Sequence, residues 1–297
     1  MFKTSRLVKS VCVSLITFFL LVATMWWWSW SPKAHTYKRL DELKSIMLPG
    51  RFRNSAEHDS ALAAVGNPYV LEITTRTGAL FSYGARHSTD PNDPQFADIT
   101  TRWQAFRPTI ALCEGRARGY IVRFPLRLLS GVSEPAMVHR LARSDNMPLY
   151  SLEPEYEEEV SQLLKTFRPE QVALYFTMRV YWSEAKGKPN DRLALHLLRK
   201  RTSVSGLRGA LNNVNDIDIL WRKELSQQPD WRGMAREPSG TFLSEISDSS
   251  VRVRGEYMAR TLIDLVRRGE RVFAVVGSGH VIRHELTLRE ALNASKN

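Results

Sequence analysis

Three short apolar runs, each closed by glycine, punctuate the chain. Gly78–Gly84 (G-A-L-F-S-Y-G), Pro108–Gly115 (P-T-I-A-L-C-E-G) and Glu270–Gly277 (E-R-V-F-A-V-V-G) have the length and composition of strands. Such continuous apolarity predicts strands covered on both faces, as in a parallel sheet between helices. Between the second and third runs the period lengthens. Glu153–Phe167 carries Val160, Leu163, Leu164 and Phe167 at helical spacing, with acids in its first turns, Lys165 near its end and Pro169 beyond. Glu170–Glu184 reads two ways. Val172, Leu174, Phe176, Met178, Val180 and Trp182 alternate like a strand, while its length and the apolar Ala173, Tyr175 and Tyr181 suit a buried helix. Asn190 is placed to cap a helix through Arg201, and Asp216–Leu225 predicts another. Residues 226–240 read as a loop. Val251–Arg268 predicts an amphipathic helix, with Met258, Leu262, Leu265 and Val266 on one side, that feeds the third strand.

The N-terminus has a different pattern. No charge occurs between Lys9 and Lys33, and Ser10–Pro32 as a helix reaches roughly 34 Å, enough to cross a bilayer core. Lys3, Arg6 and Lys9 precede this stretch, and Trp26, Trp27, Trp28 and Trp30 crowd its far end, where indole prefers the membrane interface. A cleavable signal peptide is the rival reading. Ser29-Trp30-Ser31 followed by Pro32 makes a poor cleavage site, so the expectation is an uncleaved anchor. The chain then divides into an anchor (1–34), a linker (35–65) with a short helix near Leu40–Met47, and a domain (66–297). That domain is expected to be α/β: a mixed or mostly parallel sheet flanked by helices, with a helical insertion, behind an N-terminal transmembrane helix. The bilayer is its partner through residues 10–32, and the C-terminal domain faces the periplasm or the exterior from the inner or plasma membrane.

Composition narrows the chemistry. The 297 residues are 43% hydrophobic and 25% charged, an ordinary globular mix. Two cysteines, Cys12 and Cys113, exclude a disulfide framework and a cysteine-based zinc site. The net charge of +11 overstates the surface: beyond residue 34 there are 38 basic against 31 acidic residues, spread along the chain. No nucleic-acid motif accompanies them, and no nucleic-acid partner is expected.

Candidate chemistry sits at the strand ends. The first strand ends in Gly84-Ala85-Arg86-His87, the third in Gly277-Ser278-Gly279-His280, and the second in Glu114-Gly115. In open α/β sheets the ligand site lies outside the carboxyl ends of strands, so His87, Glu114 and His280 are expected to converge. Two imidazoles and a carboxylate suit a divalent transition metal, which makes hydroxide available near neutral pH. Asp90 and Asp93, in a proline-rich turn, are expected to serve backbone hydrogen bonds instead. Cys113 is expected in the core. His284 is placed to share a helix face with His280, or to precede a new helix start. His35, His58, His139 and His196 show no partner pattern.

Paired G-x-x-H segments after strands, a glutamate at the end of an intervening strand, and Arg254 with Met258 in the helix before the second segment resemble the TIKI/TraB–PrgY superfamily. Its relatives include erythromycin-esterase-like and ChaN-like haem-binding proteins. Gly255 follows Arg254 where the family often has an acid, which here is Glu256. The resemblance spans about residues 66–292 and implies a metal-dependent hydrolase acting on a peptide or small molecule. His87 and His280 would bind metal, Glu114 would complete the shell or act as base, and Arg254 would hold an anionic substrate group or stabilise developing negative charge. The alternative it implies, second to the hydrolase, is a non-catalytic ChaN-like protein holding haem or another ligand, for which the aromatics of 172–182 offer a lining.

Overall fold

A computed structural model describes residues 17–19, 34–53, 55–88, 90–115 and 133–293. Among them no helix is long and apolar enough to cross a membrane. The expected anchor lies outside the described residues apart from Thr17–Phe19.

The described residues form two compact units, the first lying within 1–37, 46–153 and 259–297. Its centre is a six-stranded sheet: β1 (His35–Thr36), β2 (Tyr69–Thr74), β3 (Ala79–Ala85), β4 (Ile110–Cys113), β5 (Leu149–Ser151) and β6 (Arg271–Gly277). Their order is β1-β5-β4-β6-β3-β2, and every pair is parallel except the β2–β3 hairpin. The fold is therefore α/β, with a mixed and mostly parallel sheet. β3 and β4 are buried along their whole length, which is why their sequences lack polar alternation.

Phe81, Ala111, Cys113, Phe273 and Val275 face a core shared with helices α3 (Pro94–Phe106) and α4 (Glu134–Ser144). Phe81 stacks on its register partner Phe273 at 5.0 Å, and Trp103 meets Phe273 edge-on at 5.2 Å. Helix α10 (Ser278–Asn293) packs on β2, β3 and β6 and against α2 (Ser55–Val65). Residues 35–65, expected as a linker, thus carry the edge strand β1 and helix α2. A two-residue strand has no periodicity to read, and four of the six apolar residues of α2 are alanine.

The second unit comprises residues 38–45 and 154–258 and is helical. It holds α1 (Leu40–Leu43), α5 (Tyr156–Leu163), α6 (Pro169–Ala185), α7 (Asp191–Arg201), α8 (Val214–Glu224), a 3-10 turn at Trp231–Gly233, and α9 (Phe242–Arg267) as far as Met258. The ambiguous run 170–184 is therefore helix. Odd and even positions alike are apolar because α6 is buried nearly all round, and such a helix carries no narrow stripe. Asn190 caps α7 by accepting the Leu193 N–H at 3.0 Å, and Trp231 hydrogen-bonds Asp218 at 2.9 Å.

Candidate functional site

β3, β4 and β6 stop together. Ala85 pairs with Gly277, Cys113 with Val275, and the Glu114 N–H donates to the Val275 carbonyl at 3.1 Å. The two G-x-x-H segments then diverge. After Ala85 the chain continues in irregular backbone to His87, whereas α10 starts at Ser278, directly after Gly277, and puts His280 in its first turn. Close packing makes room for glycine alone at position 84. A Cβ there would sit 2.7 Å from the Tyr69 carbonyl oxygen and 2.8 Å from Ser278 Cα.

Glu114 lies between the two histidines. Its Oε2 accepts the Gly277 N–H at 2.8 Å, and its Oε1 lies 3.4 Å from His280 Nε2. A Cβ at Gly277 would meet His87 Nε2 at 3.2 Å and Glu114 Oε2 at 3.4 Å, so those two atoms are no further apart than the two distances together. The structure brings His87, Glu114 and His280 to one gap at the carboxyl edge of the sheet. The His87 side chain is 72% exposed and that of His280 16% exposed, so the gap has an open and a closed side.

Three further side chains stand beside this set, of which the sequence pointed to His284 alone. Glu134, buried at the start of α4, places Oε2 3.7 Å from His87 Nδ1. His58 on α2 sets Nε2 3.3 Å from where a Cβ of Gly279 would be. That nitrogen is buried and makes no hydrogen bond among the described residues, while Nδ1 contacts Asp59 at 2.9 Å. His284 follows His280 on α10, its ring 5.8 Å away, and is buried against Phe52. Burial first, then the positive charge of His280 and Arg283, pushes the His284 imidazole down to about 3. Helical spacing signalled His284; nothing local signalled Glu134 or His58.

The set suits a metal by donor type, two imidazoles and a carboxylate, and the missing Cβ of Gly277 lets His87 Nε2 and Glu114 Oε2 approach the same bare Cα. As they stand, no three His, Cys, Asp or Glu side chains among the described residues are gathered as a ready-made metal cluster. The Glu114–His280 contact occupies part of that donor set.

Other expected residues fall as follows. Arg254 belongs to the second unit, buried in α9. Asp90 and Asp93 accept the backbone N–H groups of Asn92 and Gln95, at 2.9 and 3.0 Å. Cys113 is buried, and burial, with the Glu114 charge, pushes its thiol up to about 12. Tyr175, Phe176, Tyr181 and Trp182 are at most 4% exposed and are spent on the helical core. No family model, curated protein or solved structure matches the chain.

Proposed function

We propose that this protein is a metal-dependent hydrolase acting at the carboxyl edge of its sheet. The carrying observation is the gap at Gly277, with His87 Nε2 on one side and a Glu114 carboxylate tied to the Gly277 N–H on the other. His87 and His280 would hold a divalent transition metal, which supplies a nucleophilic hydroxide and polarises the scissile carbonyl. Glu114, fixed by the N–H of Gly277, accepts the proton of the attacking water and returns it to the leaving group. Sequence resemblance supports the same reading. It is also the sole ground for the part of Arg254, holding an anionic group of a peptide or small-molecule substrate.

The charge-free residues 10–32 and their tryptophans support a single membrane anchor, with the catalytic domain on the periplasmic or extracellular side.

Thermal unfolding with added zinc, manganese or cobalt tests the site. The wild type is expected to gain stability by mass action, while His87→Ala and His280→Ala stay unmoved. Equal shifts in all three proteins, for every metal, would remove the reading. Glu114→Gln is expected to retain the metal shift and lose turnover of any peptide or ester the wild type cleaves.

A further inference from the structure

Glu134 opens α4 and is 3% exposed. One of its oxygens is fully engaged: Oε1 accepts the Ser88 N–H at 2.7 Å and Gln95 Nε2–H at 3.2 Å. The orientation of the Gln95 amide is settled, because the same Nε2 donates to the Arg86 carbonyl at 2.7 Å and both partners are pure acceptors. That leaves Oε2, which lies 3.7 Å from His87 Nδ1. The contact is longer than a hydrogen bond and acts electrostatically. A carboxylate cannot donate, so it favours the imidazole that carries its proton on the near nitrogen.

We propose that Glu134 is a positioning residue for His87. It holds the imidazole as the Nδ1–H tautomer and leaves the Nε2 lone pair on the side of Gly277 and Glu114. Outer partners of this kind fix the tautomer and orientation of a ligating histidine. Ser88 and Gln95 complete the device. By occupying Oε1 they aim the other oxygen at the ring, and they tie the segment after β3 to the start of α4. The effect on metal rests on the functional reading above; the effect on the tautomer does not.

The test is long-range proton–nitrogen NMR of the imidazoles in the metal-free full chain at pH about 8, above the ordinary imidazole range. The His87 signals are assigned by their loss in His87→Ala. The wild type is expected to show His87 protonated at Nδ1. In Glu134→Gln the amide oxygen must serve the Ser88 and Gln95 donors, so the amide nitrogen turns toward His87 and donates to Nδ1. The tautomer then reverses to Nε2–H.

Zinc affinity measured by calorimetry is expected to fall by about ten- to a hundred-fold in the same variant. An unchanged tautomer in Glu134→Gln overturns the inference whatever zinc does. Wild-type His87 protonated at Nε2 overturns it alone, and that measurement decides the matter if the variant fails to fold. A reversed tautomer in a chain whose wild type binds no zinc upholds the positioning role and removes the metal reading instead.

Discussion

Glu114 Oε2 accepts the backbone N–H of Gly277 at 2.8 Å, from 163 residues earlier in the chain. The bond ties the end of β4 to the end of β6 and sets the carboxylate beside the bare Cα of Gly277. Two glycines at this edge serve different ends, and alanine substitutions separate them.

Gly277→Ala is expected to fold. The new methyl meets His87 Nε2 and Glu114 Oε2 at 3.2 and 3.4 Å, both at the ends of side chains, and the largely exposed His87 need shift only by a few tenths of an ångström. Its melting temperature should stay within about 2 °C of wild type while the zinc-induced shift disappears. Gly84→Ala strikes backbone at 2.7 and 2.8 Å and should cost about 1–3 kcal/mol or more, read from urea unfolding. A zinc shift that survives in Gly277→Ala would mean that the gap holds nothing.

Acid should weaken the first unit in two windows. His284 is held neutral, its imidazole lowered from 6.5 to about 3 by burial first. The unfolded chain then takes up a proton that the folded chain refuses, so stability is lost as pH falls below 6.5. Glu285 behaves differently. Burial alone would raise its carboxyl, but hydrogen bonds from Tyr69, Arg53 and Arg289 outweigh burial and hold it below 4.5. Its contribution is full above 4.5 and is lost as pH falls through the lowered folded value. In urea unfolding, His284→Leu should remove the loss that begins near 6.5, and Glu285→Gln the loss below 4.5. Parallel curves for wild type and both variants would contradict this account.

Cys113 should be inert in the native chain. Its thiol is buried inside β4 and pushed up to about 12, so thiolate is scarce at neutral pH. Treatment with iodoacetamide should label this cysteine only after unfolding. Labelling at a free-thiol rate in native buffer would show that β4 opens.

In the second unit, Asn190→Ala should cost about 1 kcal/mol, because the Asn190 side chain satisfies the Leu193 N–H at the start of α7. Asn190→Asp keeps the acceptor and should cost much less. Urea unfolding followed by tryptophan fluorescence reads both.

β3, β4 and β6 were legible because strands buried on both faces must be apolar throughout, and the glycines that close β3 and β6 mark places where other groups come close. The cap at Asn190 was legible for the same local reason. β2 was not: Tyr69, Leu71 and Ile73 of this edge strand alternate inward, but over six residues, with the apolar Val70 among them, the period is too short to stand out. Asp93-Pro94 reads as a turn and is instead the cap and first residue of α3. The Asp93 carboxylate does accept a backbone N–H, as expected of a turn, but the N–H is that of Gln95 inside the helix. Strand or helix for 170–184 was decided by neighbours, since an all-round apolar segment takes whichever form its surroundings bury. Glu134 shows where sequence runs out at the site. Its partners Ser88 and Gln95 are 46 and 39 residues away, and no local pattern distinguishes it from any acid in a first helical turn.

The unlike settings of the two histidines make them unequal under insertion. His280 sits on the first turn of α10, so one added residue between Gly277 and His280 would swing its imidazole about 100° around the helix axis and away from Glu114. His87 lies in irregular chain after β3, where the same insertion would turn no rotor but would pull the Arg86 carbonyl or the Ser88 N–H off Gln95 and Glu134. The spacing Gly277–His280 should therefore be held constant among natural variants of this chain by helix geometry, and the spacing Ala85–Ser88 by the separate ties of Arg86 and Ser88.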